Sequence, residues 1–329
     1  MLIPILLLIV GFVLLIKGGD WFVDGATGIA RRFHLPEILI GATVVSIGTT
    51  LPEVMVSAGA ALQGSGSIAY GNAIGSIICN TSLIAALTIA IKPGPASRKS
   101  MKLPVIFFFF ATAVYLFSAY IIGEFSLTIG IVLLCTFAVY MVLTVFSMKK
   151  GTGIKEQGEN DLEVESEDSE KKSSLLKDII MLVSGAAIIA VGADLLVDNA
   201  IIIAEKFGVS EKVIGLTIVA VGTSLPEFVT AVTSLIKGHG SLSLGNIIGA
   251  NLFNLVLVSG IAVTLNPFAL PESGTIAGIN SSLVIDLPIM LGAMLILTVP
   301  TLIKEKLSRW QGILLLGIYV SFLAFSFLI

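Results

Sequence analysis

Two glutamates stand inside apolar runs of membrane length, and each directly follows a proline. The first run reads IGATVVSIGTTLPEVMVSA, with Pro52 and Glu53; the second reads IGLTIVAVGTSLPEFVTAV, with Pro226 and Glu227. A carboxylate in hydrocarbon is expensive, so an intramembrane acid is first read as part of a functional site and only second as a buried, protonated structural group. Pro52 has no N–H to give to the carbonyl of Gly48, and Gly48 itself weakens a helix. Carbonyls around Ser46, Ile47 and Gly48 are thereby expected to leave the helical ladder, which hydrocarbon tolerates only where the backbone lines a cavity or is buried in protein. Thr49 and Thr50 add hydroxyls, and the second run repeats the set with Ala220, Val221, Gly222, Thr223 and Ser224. All these donors are hard oxygens, suited to Ca2+ or Na+ and unsuited to soft transition metals.

The runs that follow supply polar stripes. Asn72, Ser76 and Asn80 share one helix face by their i, i+4, i+8 spacing, and Asn246, Ala250 and Asn254 are their counterparts. Asn80 and Asn254, beside the breaks, are read as ligands; Asn72 and Asn246 are read as cross-links between helices. Asp20, Asp24, Asp194 and Asp198 fall near the ends of their runs, where they meet interfacial water or cap neighbours. Cys79 and Cys135 lie inside apolar runs and are expected to be buried thiols, not a disulfide.

The elements that must position these groups are membrane spans. The chain is 56% hydrophobic and 12% charged over 329 residues, with mean hydropathy +1.03, whereas soluble chains carry about 25% charge. Ten apolar runs are long enough to span: 2–27, 36–62, 68–90, 103–122, 126–147, 178–204, 211–236, 242–265, 282–302 and 310–328. The N-terminus lacks a basic region and a cleavage site, and reads as the first span. With ten spans both termini share one side. The opposite side then carries nearly all the basic loop residues, from Arg31 and Arg32 to Lys306 and Arg309, while the termini's side keeps Lys206 and Lys212. The positive-inside rule places both termini outside the cytoplasm, in the plasma membrane.

The two glutamate runs belong to a longer repeat at a constant offset of 174 residues. GGDWFVDGA (18–26) falls on GADLLVDNA (192–200), and GNAIGSIICN (71–80) on GNIIGANLFN (245–254). Five spans separate equivalent positions, so the second copy is inverted, with a binding site expected at the repeat interface. The expected fold is an all-α polytopic membrane protein. Residues 1–148 and 178–329 are two inverted five-helix repeats, with helices 2, 3, 7 and 8 broken around a midplane site. Residues 149–177 are polar and acidic and read as a cytoplasmic linker; they lack the spacing of a calcium-binding loop.

GTTLPE at 48–53, GTSLPE at 222–227 and the paired G-N-x-x-G-[SA]-x-x-x-N segments resemble the repeats of the cation/calcium exchanger superfamily, whose sodium/calcium exchangers carry G-T-S-[LV]-P-E in both halves. The likeness covers almost the whole chain and is nearest the prokaryotic branch. It implies that Glu53 and Glu227 are central ligands shared by Ca2+ and Na+, and that Thr49 and Thr223 give Ca2+-site oxygens, mainly from the backbone. Thr50, Ser224 and Ser76, with the carbonyls of Ser46 and Ala220, would line flanking Na+ sites, and Asn80 and Asn254 the middle. Two positions depart from the pattern: Asn254 stands where some exchangers have Asp, and Ala250 stands opposite Ser76.

The resemblance implies an antiporter that exchanges Ca2+ against Na+ by alternating access, with the monomer as functional unit, the lipid bilayer around it, and no cofactor or nucleic acid. H+ as the counter-ion is the alternative reading, and a cation channel a weaker one. No nucleophile–base pair or HExxH motif is present, so an enzyme is not expected.

Overall fold

The computed structural model describes residues 2–151, 174–207, 220–271, 275–276 and 278–328. Only helices and closed barrels satisfy every backbone group in hydrocarbon, and this chain takes the helical solution. The main helices are α1 Leu2–Arg32, α2 Glu37–Leu62, α3 Gly66–Ile91, α4 Arg98–Ile122, α5 Leu127–Gly151 and α6 Leu175–Lys206, then α7 Leu225–Ile236, α8 Gly240–Leu265, α9 Ser282–Lys304 and α10 Arg309–Leu328. A single turn, Ala220–Thr223, precedes α7. Among the described residues eight helices are long and apolar enough to cross a membrane; α7 and the Arg309–Phe325 part of α10 are shorter apolar helices. The protein is an all-α polytopic membrane protein. Residues 208–219, the start of the expected seventh span, and 152–173, most of the expected linker, lie outside the described residues.

The helices overrun their hydropathy boundaries. α1 continues to Arg32, α4 starts at Arg98 and α6 starts at Leu175. Hydropathy detects the part that sits in hydrocarbon, whereas helical hydrogen bonding continues into the interface, where basic side chains in a last turn also suit the helix dipole.

Two packing seams organise the bundle. α1 and α6 run antiparallel, and their glycines let the backbones touch: a Cβ at Gly11 would lie 2.8 Å from the Gly192 carbonyl oxygen, and one at Gly25 would lie 2.5 Å from the Leu182 nitrogen. The start of α2 packs in parallel on α8: a Cβ at Gly41 would lie 2.5 Å from the Leu242 carbonyl oxygen, and one at Gly249 2.6 Å from the Ala42 Cα. α8 is the most enclosed of the long helices, surrounded by α2, α3, α4 and α7. Two short antiparallel pairs, Glu124–Phe125 with Phe268–Ala269 and Thr275–Ile276 with Ile279–Asn280, tie the turns at one end.

Candidate cation-binding site

Four helices depart from regular α geometry or break near the repeated motifs. π-helical turns occupy Gly41–Val45 in α2, Asn80–Ala85 in α3 and Asn254–Val258 in α8. The last two open at Asn80 and Asn254, equivalent positions of the repeat. A π turn widens the helix and weakens its ladder, which is why such turns collect at functional sites. Serines five residues on take up two of the loosened carbonyls: Ser46 Oγ donates to the Gly41 carbonyl at 2.7 Å, and Ser259 Oγ to that of Asn254 at 3.0 Å. Tyr140 Oη of α5 donates to the Ala42 carbonyl at 2.8 Å, inside the first π turn.

The two proline motifs fold differently. Pro52 lies within a helix that runs unbroken from Ser46 to Leu62. Pro226 instead opens α7 after a non-helical Ser224 (φ −94°, ψ 9°), which puts Glu227 in the first helical turn. A proline in the first turn forfeits no helical hydrogen bond, because that N–H has no intrahelical acceptor.

Ser46, Thr49, Thr50 and Glu53 are spaced on one face of α2, and all four are buried. Glu53 and Glu227 are fully buried, and none of their four carboxylate oxygens has a hydrogen-bond partner among the described residues. The helices that carry them, α2 and α7, pack on each other. Glu227 faces the hydroxyls of Thr49 and Thr50 without closing a hydrogen bond of ordinary geometry to either. Around them stand further orphaned polar atoms: Thr50 Oγ1, Ser224 Oγ, both amide atoms of Asn80, and Asn254 Oδ1, whose Nδ2 donates to the Ala250 carbonyl at 3.0 Å. α2 packs on the π turn of α8, and α7 on the π turn of α3, so each glutamate helix meets an asparagine of the other half.

The remaining sequence candidates divide. Ser46 and Thr49 are engaged by Asn246: Ser46 Oγ reaches its carbonyl at 3.0 Å and Thr49 Oγ1 its Oδ1 at 3.2 Å. The Ser46 carbonyl also accepts from Thr49 Oγ1 at 3.4 Å. Ser76 is buried on α3, Thr223 is half-buried, and Ala220 opens the turn before Ser224. Asn72 ties α3 to α2 through the Glu53 carbonyl at 3.1 Å and Ser57 Oγ at 2.8 Å. One expectation is corrected: Cys79 is buried, but Cys135 is exposed on the outer face of α5. A thiol is apolar enough to face lipid, so position within a span does not imply burial.

Sequence reasoning passed over several groups. Lys237 pairs with Asp24 Oδ1 at 2.7 Å and Asp20 Oδ1 at 3.4 Å, and His239 Nδ1 lies 2.6 Å from Glu37 Oε1. Thr81 and Asn251 bond across α3 and α8 at 2.7 Å. The acids of the two ion pairs repeat at the 174-residue offset but Lys237 and His239 do not, and neither Thr81 nor Asn251 repeats, so the repeat does not flag these contacts.

Chemically, the arrangement gathers hard oxygens around two buried acids. The family model described as sodium/calcium exchanger protein matches residues 3–146 and 177–328. The sodium/calcium exchanger MaX1 of Methanosarcina acetivorans is 32% identical over 352 residues, covering 98% of each chain. The inner membrane protein YrbG of Escherichia coli is 36% identical over 270 residues, covering 81% of each. A solved structure of the sodium-calcium exchanger NCX_Mj, soaked with 2.5 mM Na+ and 0.1 mM Ca2+, aligns with a TM-score of 0.79 at 31% identity over 98% of both chains. The likeness runs the length of the chain on both sides of residues 147–176, and the chain belongs to the sodium/calcium exchanger family.

Proposed function

We propose that the protein is a secondary active antiporter of the plasma membrane that exchanges Ca2+ against Na+ by alternating access. The observation that carries this reading is the pair of fully buried carboxylates whose oxygens have no partner among the described residues. Two buried charges left unpaired are strongly destabilising, and a cation held between them removes that penalty. Glu53 and Glu227 are the shared ligands of Ca2+ and Na+; Thr49 and Thr223 supply Ca2+-site oxygens. Thr50, Ser224, Ser76 and the carbonyls of Ser46 and Ala220 form flanking Na+ sites, with Asn80 and Asn254 in the middle. The name of MaX1 and the ions soaked into NCX_Mj support the choice of ions.

The working architecture is two inverted five-helix repeats, 1–148 and 178–329, joined by a cytoplasmic linker at 149–177, with both termini outside and the monomer as the functional unit. The antiparallel α1–α6 pair supports it, since these helices are repeat equivalents. So do the π turns opening at Asn80 and Asn254, which with the Ser224 turn and the π turn of α2 are the breaks in helices 3, 8, 7 and 2. In an inverted repeat, breaks of this kind meet at the ion site.

The counter-ion is decided by flux. One Ca2+ neutralises the two carboxylates, as would a pair of Na+. A third Na+ leaves the loaded site positive, and moving that charge costs about 2.3 kcal/mol per 100 mV. Ca2+ flux in liposomes clamped with potassium and valinomycin should therefore respond to a Na+ gradient and to voltage. Ala250→Ser, which returns an oxygen opposite Ser76, should raise apparent Na+ affinity with little change for Ca2+. Flux indifferent to Na+ but driven by a pH gradient would transfer the protein to the proton-coupled alternative, a reading that the neutral Asn254 and Ala250 keep open.

A further inference from the structure

Beyond Glu227, α7 carries two more polar side chains on the same face. Thr230 and Ser234 lie three and seven residues further on, about 4.5 and 10.5 Å along the axis and within about 60° of Glu227 around it. Both are fully buried, and neither hydroxyl has a hydrogen-bond partner among the described residues. Serines and threonines inside helices ordinarily return their hydroxyl to the preceding turn. Thr43, Thr144, Thr298 and Thr301 do so here, at 2.6 to 2.8 Å. The repeat equivalents of Thr230 and Ser234 are Val56 and Ala60, so this polar line belongs to the second half alone.

The line ends at the turn Lys237–His239. There the His239 N–H donates to the Ser234 carbonyl at 2.7 Å, and the imidazole meets Glu37 at the start of α2. Beside it the backbones of α2 and α8 touch along the seam of Gly41 and Gly249.

We propose that Thr230 and Ser234 line the route by which a partly dehydrated cation passes between Glu227 and the side of the Gly238 turn, and that the Glu37–His239 pair and the adjoining glycine seam close its mouth in this conformation. The inference rests on the antiporter reading of the site. Hydroxyl oxygens at intervals replace lost water ligands without adding charge, so an ion is guided but not trapped.

The test places a cysteine at either position, Thr230→Cys or Ser234→Cys, in proteoliposomes of uniform orientation. A membrane-impermeant cationic methanethiosulfonate is applied to one face during exchange. The unsubstituted chain, with Cys79 and Cys135, gives the baseline, and Lys306→Cys reports the side of the Gly238 turn. Reagent on the Lys306→Cys side should abolish exchange in both variants, and reagent on the other side should not. Exchange that survives labelling during turnover, or that is lost only from the opposite side, overturns the route. Should the cysteine variants be inactive as made, Thr230→Val and Ser234→Ala should slow flux while equilibrium binding of radioactive Ca2+ is kept; loss of that binding would overturn it. Normal exchange by Glu227→Gln would refute the site itself, whereas insensitive variants beside an inactive Glu227→Gln would refute the route alone.

Discussion

Glu53→Gln and Glu227→Gln will each abolish Ca2+ uptake, while Glu124→Gln, at an exposed position outside the site, will leave it intact. Glutamine keeps the shape and one oxygen but removes a full charge from a cage that has only two. At an effective dielectric of about 20, a unit charge about 4 Å from a divalent ion contributes roughly 8 kcal/mol of attraction. If dehydration and the remaining amide oxygen offset two-thirds of that, the residue of about 2.7 kcal/mol is still about a hundredfold in affinity. No basic side chain of the described residues hydrogen-bonds or ion-pairs with either glutamate, so no other charge is freed to compensate. Radioactive Ca2+ uptake into vesicles with matched protein levels is the measurement, and normal uptake by either variant would remove that residue from the site.

Gly245→Ala should be the most damaging small substitution in the core. A Cβ there would be driven into the carbonyl of Ile38, backbone against backbone, with no flexible side chain to yield. Overpacking of a tight core costs about 1–3 kcal/mol and occasionally more, and this contact belongs at the upper end. Gly59→Ala is the contrasting change: no described atom lies within 4 Å of its added Cβ, and alanine gains about 1 kcal/mol of helix propensity. Thermal unfolding in detergent should lower the midpoint for the first and hold or raise it for the second. Equal behaviour of the two would mean that the α2–α8 seam is looser than described.

Much of this protein is readable in its sequence because its chemistry is written twice. Glu53 and Glu227, the flanking hydroxyls and the glycines of GNxxG repeat at one offset, and apolar runs mark the spans. What escapes is asymmetric or non-local. Pro52 and Pro226 sit in near-identical motifs, yet one lies inside a helix and the other starts one; the local sequence does not encode that choice, which tertiary packing makes. Breaks in helices 3 and 8 are expected from the repeat, but that they take the form of π turns opening at Asn80 and Asn254 is not, because no residue type enforces that geometry. Lys237 finds Asp20 and Asp24 across more than 200 residues, and Asn246 serves Ser46 and Thr49 from the other half. Such partners are chosen by topology, and hydropathy carries no trace of them.

The two longest helices have a consequence for the surrounding lipid. α1 and α6 contain 31 and 32 residues, about 46–48 Å at 1.5 Å per residue, against a hydrocarbon slab of about 30 Å. The usual tilt of about 20° absorbs only a small part of the excess. On α1 the outward-facing apolar side chains run from Leu2 to Trp21, about 30 Å, and the last turns, with Asp24, Arg31 and Arg32, then project past them. Trp21 suits the headgroup boundary, which fixes the depth of this helix. A bilayer thicker than this band would draw Asp20 and Asp24, and with them their partner Lys237, toward hydrocarbon. Membrane thickness thereby becomes a mechanical load on a pair of helices locked together by their glycines.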